Sequence, residues 1–96
     1  MTSIEALRQN RSGVLALAQS HHVRNVRVFG SAARGEDRLD SDIDLLVDPD
    51  EECSLLDHVA LWQDLEDLIG RKVDVVSERA LHPLMRDRIL REAVPL

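Results

Sequence analysis

Hydrophobic residues recur along the chain at two spacings, which predict alternating helices and strands. Apolar positions three or four residues apart predict three helices: residues 3–20, a segment between the N-cap Ser54 and Gly70, and a last helix starting at Pro83. Short runs rich in valine and leucine predict three strands, at residues 26–29, 42–47 and 72–77. This order predicts a small α/β fold, a mixed three-stranded sheet with flanking helices.

The second predicted helix has a broad apolar face that we expect to pack across the sheet. This face is formed by Leu55, Leu56, Val59, Trp62, Leu65 and Ile69. The position of Trp62 within it favours core packing over stacking on a ligand. The last helix is expected to contribute Leu84, Met85, Ile89, Leu90 and Ala93. In the first helix, Gly13 is expected to mark a bend, since glycine is a poor helix former.

The size and composition are those of one folded domain over residues 1–96. The chain is 44% hydrophobic and 31% charged, an ordinary balance for a globular protein. No apolar run approaches the length of a membrane span, and the N-terminus lacks the regions of a signal peptide, so we expect a cytoplasmic protein without membrane contact. The single cysteine, Cys53, excludes an internal disulfide.

The net charge narrows the range of partners. At −6 it argues against a nucleic-acid backbone, because such binding depends on cationic side chains that neutralise phosphates. The chain has no tyrosine, one tryptophan and one phenylalanine, so platforms for base stacking are scarce as well. An acidic protein can still bind a nucleotide together with magnesium, because the metal supplies positive charge. A free nucleotide therefore fits better than a nucleic-acid strand.

Two aspartates at the start of the second strand are candidates for a metal site. The chain contains three Asp-x-Asp triplets, beginning at Asp40, Asp42 and Asp48, and only the middle one leads into an apolar strand. Alternate residues of a strand share a face, so Asp42 and Asp44 would lie side by side. Mg²⁺ commonly binds through one or two carboxylates together with substrate phosphates. A solvated acidic strand start is the alternative interpretation.

The turn after the first strand has residues suited to phosphate. Gly30 allows close approach of the backbone, and Ser31 offers a hydroxyl beside free backbone amides. Arg34 could add a charge-assisted contact. The turn is not a P-loop, because no lysine follows and the glycine spacing differs. A Gly-Ser pair at a strand end is common and carries little weight by itself.

Together these two motifs resemble the nucleotidyltransferase superfamily that includes DNA polymerase β. The signature of that superfamily is Gly-Ser, ten residues and then Asp-x-Asp, as in Gly30-Ser31 followed by Asp42-Ile43-Asp44. The segments FGSAARGE and SDIDLLV are similar to those of the minimal nucleotidyltransferases, in particular the MntA-type antitoxins paired with HEPN-domain toxins of the HepT type. The resemblance extends over essentially the whole chain and implies a fold like the polymerase β palm.

The resemblance also implies a third carboxylate on a neighbouring strand. By position this is Asp74. Asp48 is the competitor, since it shares the parity of Asp42 and Asp44, but it lies at the far end of their strand. An ion pair with Arg71 or Lys72 would be a purely structural role for Asp74. This role is less favoured, because aspartate is rare in strands unless it serves a function.

The implied activity is transfer of AMP from ATP to a hydroxyl of a HEPN-domain toxin, expected to be a tyrosine, within a hetero-oligomer. Two Mg²⁺ ions would be held by Asp42, Asp44 and Asp74, while Gly30, Ser31 and Arg34 would bind the nucleotide. An antitoxin that only binds and occludes its toxin is the non-enzymatic alternative. An enzyme that modifies small molecules such as aminoglycosides would be expected to carry a second domain.

Overall fold

A computed structural model describes residues 2–38 and 41–96 of the chain, so Asp40 of the first Asp-x-Asp triplet lies outside the described residues. The helices are α1 (Ser3–Gln9), α2 (Arg11–Ser20), α3 (Gly30–Arg34), α4 (Leu55–Ile69) and α5 (Pro83–Glu92). The strands are β1 (Val23–Phe29), β2 (Ile43–Pro49), β3 (Val73–Ser77) and β4 (Val94–Pro95). A short 3₁₀ helix, Glu78–Ala80, joins β3 to α5. The predicted α/β class is confirmed.

The sheet is mixed, in the order β3-β2-β1-β4. Strand β2 pairs antiparallel with β1 and parallel with β3, and β4 pairs antiparallel with β1. The prediction of three strands was therefore one strand short. The additional strand has two residues, one of them Pro95, and pairs only because the end of α5 returns the chain to the edge of β1. Such a segment has no periodicity, and proline is tolerated in a sheet only at an edge.

The first predicted helix is two helices in the structure. The break lies at Asn10, which ends α1 and precedes α2, and not at Gly13. Gly13 instead faces α4, where an added Cβ would lie 2.9 Å from Cδ2 of Leu68. The glycine thus allows α2 and α4 to approach each other. The longest helix is α4, with 15 residues, and no helix in the described ranges has the length and apolar character needed to cross a bilayer.

Each face of the sheet packs against different helices. The back face carries Ile43, Leu45 and Val47 of β2, which are fully buried against a core that includes residues of α1, α2 and α4. The front face carries Phe29 and Leu46, which pack with Ile89 of α5. This second cluster is smaller and leaves part of the front face uncovered. Polar side chains at the end of β2 can therefore reach solvent.

Helix α4 lies on the back face, but on a narrower stripe than its sequence predicted. Leu61 and Leu65 are its buried residues, whereas Trp62 is 43% exposed, so its predicted core position was wrong. Other large hydrophobic residues of α4 are exposed as well: Leu55, Leu56, Val59 and Leu68. On α5 the exposed ones are Leu84 and Met85. The reason is geometric: α4 covers the sheet beside its β3 edge, and only one side of the helix contacts it. There His58 bonds the carbonyl of Val75, and the Glu66 carboxylate accepts from the amide of Val73.

Candidate active site

Three carboxylates meet where β2 and β3 begin. The parallel pairing aligns Asp44 directly with Asp74. Asp42 precedes β2 by one residue and shares the parity of Asp44, so all three belong to the front face. Asp42 and Asp74 are exposed, while Asp44 is half-buried beside Phe29, its partner on β1. The sheet register thus brings together the three aspartates that the sequence had indicated.

The surroundings of Asp44 disfavour its charged form. Burial raises the pKa of the Asp44 carboxyl above its ordinary value, and the neighbouring charges of Asp74 and Asp42 raise it further. Arg34 acts in the opposite direction and only partly offsets these effects. A cation placed among the carboxylates would relieve their mutual repulsion, because it favours the ionised forms. The site is therefore electrostatically suited to a positive ion.

The fit of a metal ion can be judged from the donor set. Carboxylate oxygens are the ligands that Mg²⁺ prefers, and Asp42, Asp44 and Asp74 supply them on adjacent strands. Within the described part of the chain, however, no group of three or more His, Cys, Asp or Glu side chains is arranged to hold a metal by itself. The carboxylates thus fit a Mg²⁺ ion that takes its remaining ligands from water and from the phosphates of a nucleotide.

Gly30 joins the turn to these carboxylates. It has a positive φ of 70° and begins α3 directly after β1. A Cβ at this position would overlap with Oδ2 of Asp44. Only glycine therefore permits both the conformation and the close approach. The predicted turn thus lies directly against Asp44, one of the predicted aspartates.

Arg34 and the amide of Gly30 both contact the carboxylate of Glu92. The guanidinium of Arg34 donates from Nη1 to Oε1 of Glu92 and from Nε to Oε2 of Glu36, the latter at 3.2 Å. The backbone N–H of Gly30 donates to Oε2 of Glu92 at 3.4 Å. The hydrogen bonds that Arg34 donates to Glu92 and Glu36 raise the pKa of Arg34 and favour its charged form. Two groups predicted to bind phosphate are thus bridged by one carboxylate.

Ser31 and Asp48, the other residues considered from the sequence, differ in their distance from the carboxylate group. Ser31 is half-buried in the first turn of α3, and its carbonyl accepts from the amide of Glu36 at 2.9 Å. Asp48 is four residues along β2 from Asp44, about 13 Å at the rise of a strand. It faces Arg24 of β1, with 3.8 Å between carboxylate and guanidinium. Asp48 is therefore separate from the carboxylate group.

Arg71 anchors the loop that leads to Asp42. Its Nη2 donates to the carbonyls of Arg38 at 2.9 Å and Ser41 at 3.1 Å, and its Nη1 donates to Oγ of Ser3. The same guanidinium lies 3.8 Å from the carboxylate of Asp37, whose side chain is only 6% exposed. From the sequence, Arg71 was expected only as a possible ion-pair partner of Asp74. Contacts between residues 30 or more positions apart in the sequence leave no local signal.

Two surface cavities lie away from the carboxylates. One, of about 430 Å³, is lined by Arg24, Asp50, Glu51, Glu52 and Arg79. The other, of about 370 Å³, is lined by Pro49, Cys53, Ser54, Leu55, His58 and Ser77. Both lie at the carboxyl end of β2, opposite the end that carries Asp42 and Asp44. Neither of these two cavities includes the carboxylate site.

Residues 14–96 match the family model described as polymerase beta, nucleotidyltransferase. A Methanocaldococcus jannaschii protein described as a candidate protein adenylyltransferase, MJ0435, is 46% identical over 84% of this chain and 87% of its own length. The protein adenylyltransferase MntA of Thermococcus cleftensis is 44% identical over 81% of this chain and 79% of its own length. The range that matches the family model includes Gly30, Ser31 and the three aspartates.

Solved structures show the same relationship. A protein described as a minimal nucleotidyltransferase superposes with a TM-score of 0.89 and 54% identity, covering 100% of this chain and 97% of the other. Two more distant structures share the fold: a toxin-antitoxin with AMP-PNP, and a tri-AMPylated Shewanella oneidensis HEPN toxin in complex with MNT antitoxin. The first has a TM-score of 0.75 and 20% identity, and the match covers 90% of this chain and 71% of the other. The second has a TM-score of 0.68 and 18% identity, and the match covers 92% of this chain and 69% of the other. This chain belongs to the polymerase β nucleotidyltransferase family, and it is an enzyme of the nucleotidyltransferase class.

Proposed function

We propose that this protein is an antitoxin that transfers AMP from ATP to a hydroxyl of a HEPN-domain toxin, with tyrosine as the acceptor. The arrangement that carries the proposal is the pairing of Asp44 with Asp74, beside Asp42 and in contact with Gly30. The name of the Thermococcus relative, protein adenylyltransferase MntA, supports AMP transfer to a protein. The AMP-PNP and HEPN-toxin structures of the same fold support ATP and such a toxin as substrates.

In this proposal Asp42, Asp44 and Asp74 hold two Mg²⁺ ions. When bound, the ions would neutralise phosphate charge and favour the ionised form of the acceptor hydroxyl. Asp42 and Asp44 would hold both ions, and Asp74, paired with Asp44 in the register, would hold the ion on the acceptor side. Asp74 is exposed at the edge of the site and would face the acceptor, where it can receive the hydroxyl proton.

Gly30, Ser31 and Arg34 hold the β- and γ-phosphates in the proposed complex. The acceptor oxygen forms a bond to the α-phosphorus while the bond from that phosphorus to the β-bridging oxygen breaks. Pyrophosphate leaves with the bond electrons, and the charge on it is stabilised by the turn amide and the Arg34 guanidinium. This transfer places AMP on the acceptor and needs no further reactant.

No residue of this sequence can be the proposed acceptor tyrosine. The sequence contains no tyrosine, so this chain cannot modify itself at that residue type. The net charge of −6 also makes a positively charged partner surface favourable. Both features agree with a partner protein as acceptor.

The test uses α-labelled ATP, Mg²⁺, the purified protein and a purified HEPN-domain toxin as the candidate partner. We expect label on the partner with the wild-type protein and at least a 10²-fold loss with Asp42→Asn or Asp44→Asn, since each removes a carboxylate that would hold Mg²⁺ at the reacting phosphates. Asp48→Asn is the matched control, because Asp48 lies on the same strand with the same parity but beyond reach. It should transfer label at the wild-type rate.

Each outcome separates the enzyme from an occluding antitoxin. Full transfer by Asp44→Asn would remove the carboxylates from the reaction. Neutralisation of the toxin without label, equally by the wild type and both variants, would show that binding alone silences the partner. Mass spectrometry of the labelled partner, with its tyrosines changed to phenylalanine one at a time, identifies the acceptor.

A further inference from the structure

The carboxylate of Glu92 lies where the proposed function places phosphate oxygens. It accepts from the backbone N–H of Gly30 and from the guanidinium of Arg34, two of the groups assigned to the nucleotide. We propose that Glu92 is an internal competitor of the nucleotide, a carboxylate that occupies the phosphate position until ATP displaces it. This inference rests on the proposed function and adds a residue that limits nucleotide affinity.

The chemistry of the contact supports competition. Arginine binds carboxylates and phosphates through the same planar set of N–H donors, so the Glu92 carboxylate must move before a phosphate can take its place on Nη1 of Arg34 and on the amide of Gly30. Glu92 is also the more enclosed of the two carboxylates on Arg34. Its side chain is 18% exposed, compared with 64% for Glu36. Glu36 contacts Arg34 from the solvent side and has no bond to Gly30.

The backbone around Glu92 is fixed, so displacement is a side-chain movement. Glu92 is the last residue of α5, and the next amide, of Ala93, donates to the carbonyl of Ile89 at 2.9 Å. Strand β4 then pairs Val94 with Val28, and the amide of Leu96 donates to Val26 at 3.1 Å. A glutamate side chain has enough rotatable bonds to turn towards solvent while this backbone stays in place.

The charge of Glu92 also acts on the metal site. It adds negative potential at Asp44 and contributes to the raised pKa of that carboxyl. A nucleotide that arrives with Mg²⁺ therefore replaces one negative group at the turn while bringing positive charge to the aspartates. We call the turn open when Glu92 contacts neither Gly30 nor Arg34. Competition of this kind multiplies the apparent affinity for the nucleotide by the fraction of molecules in which the turn is open. If about one molecule in ten is open, removal of the carboxylate tightens binding about tenfold.

The test measures the affinity of Glu92→Gln for Mg²⁺-AMP-PNP and for Mg²⁺-tripolyphosphate by calorimetry, with adenosine as a ligand that lacks phosphates. We expect about tenfold tighter binding of both phosphate ligands and unchanged binding of adenosine. Glu36→Gln is the matched control: it removes a carboxylate from the same arginine without opening the turn, and should shift either affinity less than about twofold. Thermal melting shows that each variant is folded.

A second variant separates the position of the Glu92 carboxylate at the turn from its negative charge. Glu92→Asp keeps the negative charge but is one methylene shorter, so it should lose the bond to Gly30 and tighten phosphate binding as well. Unchanged or weaker binding by Glu92→Gln, with clear binding by the wild type, would overturn the competition and leave the proposed function intact. Binding of no phosphate ligand by any variant, the wild type included, would overturn both.

Discussion

Gly30 is the residue at which conformation and chemistry are most closely linked. Its φ of 70° and its contact with Asp44 each exclude a side chain. We expect Gly30→Ala to lower the free energy of unfolding by about 2–4 kcal/mol, the sum of a left-handed backbone and an overfilled site. AMP transfer should be lost, because the new methyl group displaces the Asp44 carboxylate. Urea unfolding and the labelling assay measure the two effects.

Gly35 is the natural control for Gly30. It has nearly the same φ, 72°, and ends α3, but among the described residues beyond its own part of the chain no atom lies within 4 Å of the position of its missing Cβ. Gly35→Ala should therefore carry only the backbone cost, about 1–2 kcal/mol, and keep its transfer activity when folded. Equal losses of stability and activity in the two variants would show that contact with Asp44 is unimportant.

At the scale of the elements, Arg71 connects α1, the loop before β2 and the start of β3. We expect Arg71→Lys to lower the free energy of unfolding by about 1–3 kcal/mol, because one ammonium cannot replace a fork that bonds two carbonyls and lies beside buried Asp37. The variant should also need several-fold more Mg²⁺ for half-maximal transfer, since the loop that positions Asp42 loses its anchors. Thermal melting and a Mg²⁺ titration measure these changes.

Arg79→Lys is the control for this element. Arg79 donates to the carbonyl of Pro49 at 2.8 Å, but it is exposed and lies at the other end of β2. Its replacement should change stability by less than about 0.5 kcal/mol and leave the Mg²⁺ requirement unaltered. An Arg71→Lys protein that is less stable but has a normal Mg²⁺ requirement would limit Arg71 to a structural role.

The elements also show what the sequence can predict. The strand that begins just after Asp42 and carries Asp44 was predictable because alternation along a strand is local, and the Ser54 cap of α4 and its end at Gly70 were predictable for the same reason. The burial of Trp62 was not, since the apolar face of α4 is broader than the part that meets the sheet. Strand β4 and the contacts of Glu92 depend on where α5 returns the chain. Information of that kind is tertiary.

At the scale of the whole molecule, the carboxylates divide into two groups with opposite effects on stability. Hydrogen bonds from the Ser3 side chain, the Ser54 amide and the Arg27 guanidinium lower the pKa values of Asp37, Asp57 and Glu78, respectively. These groups stabilise the fold above their ordinary pKa values, near 4, and the stabilisation is lost as the pH falls through the lowered values. Acid should therefore unfold the protein.

Asp44 behaves in the reverse manner, because its pKa is raised, first by burial and then by Asp74 and Asp42. Its protonated form favours the folded state, so this contribution is complete below about pH 4 and is lost as the pH rises through the raised pKa. We expect Asp44→Asn to be more stable than the wild type at pH 7 by about 0.5–1 kcal/mol, because it relieves a like-charge pair across two strands.

Melting curves of both proteins between pH 3.5 and 7.5, recorded in EDTA, test this expectation. The melting temperature of Asp44→Asn should exceed that of the wild type by several degrees at pH 7, and the difference should shrink as the pH falls towards 4. Below that pH both proteins should lose stability together, since Asp37, Asp57 and Glu78 are common to them. A difference that stays constant with pH would show that the aspartates do not repel one another. A difference that shrinks would mean that the site lowers the stability of the fold in order to keep its carboxylates together.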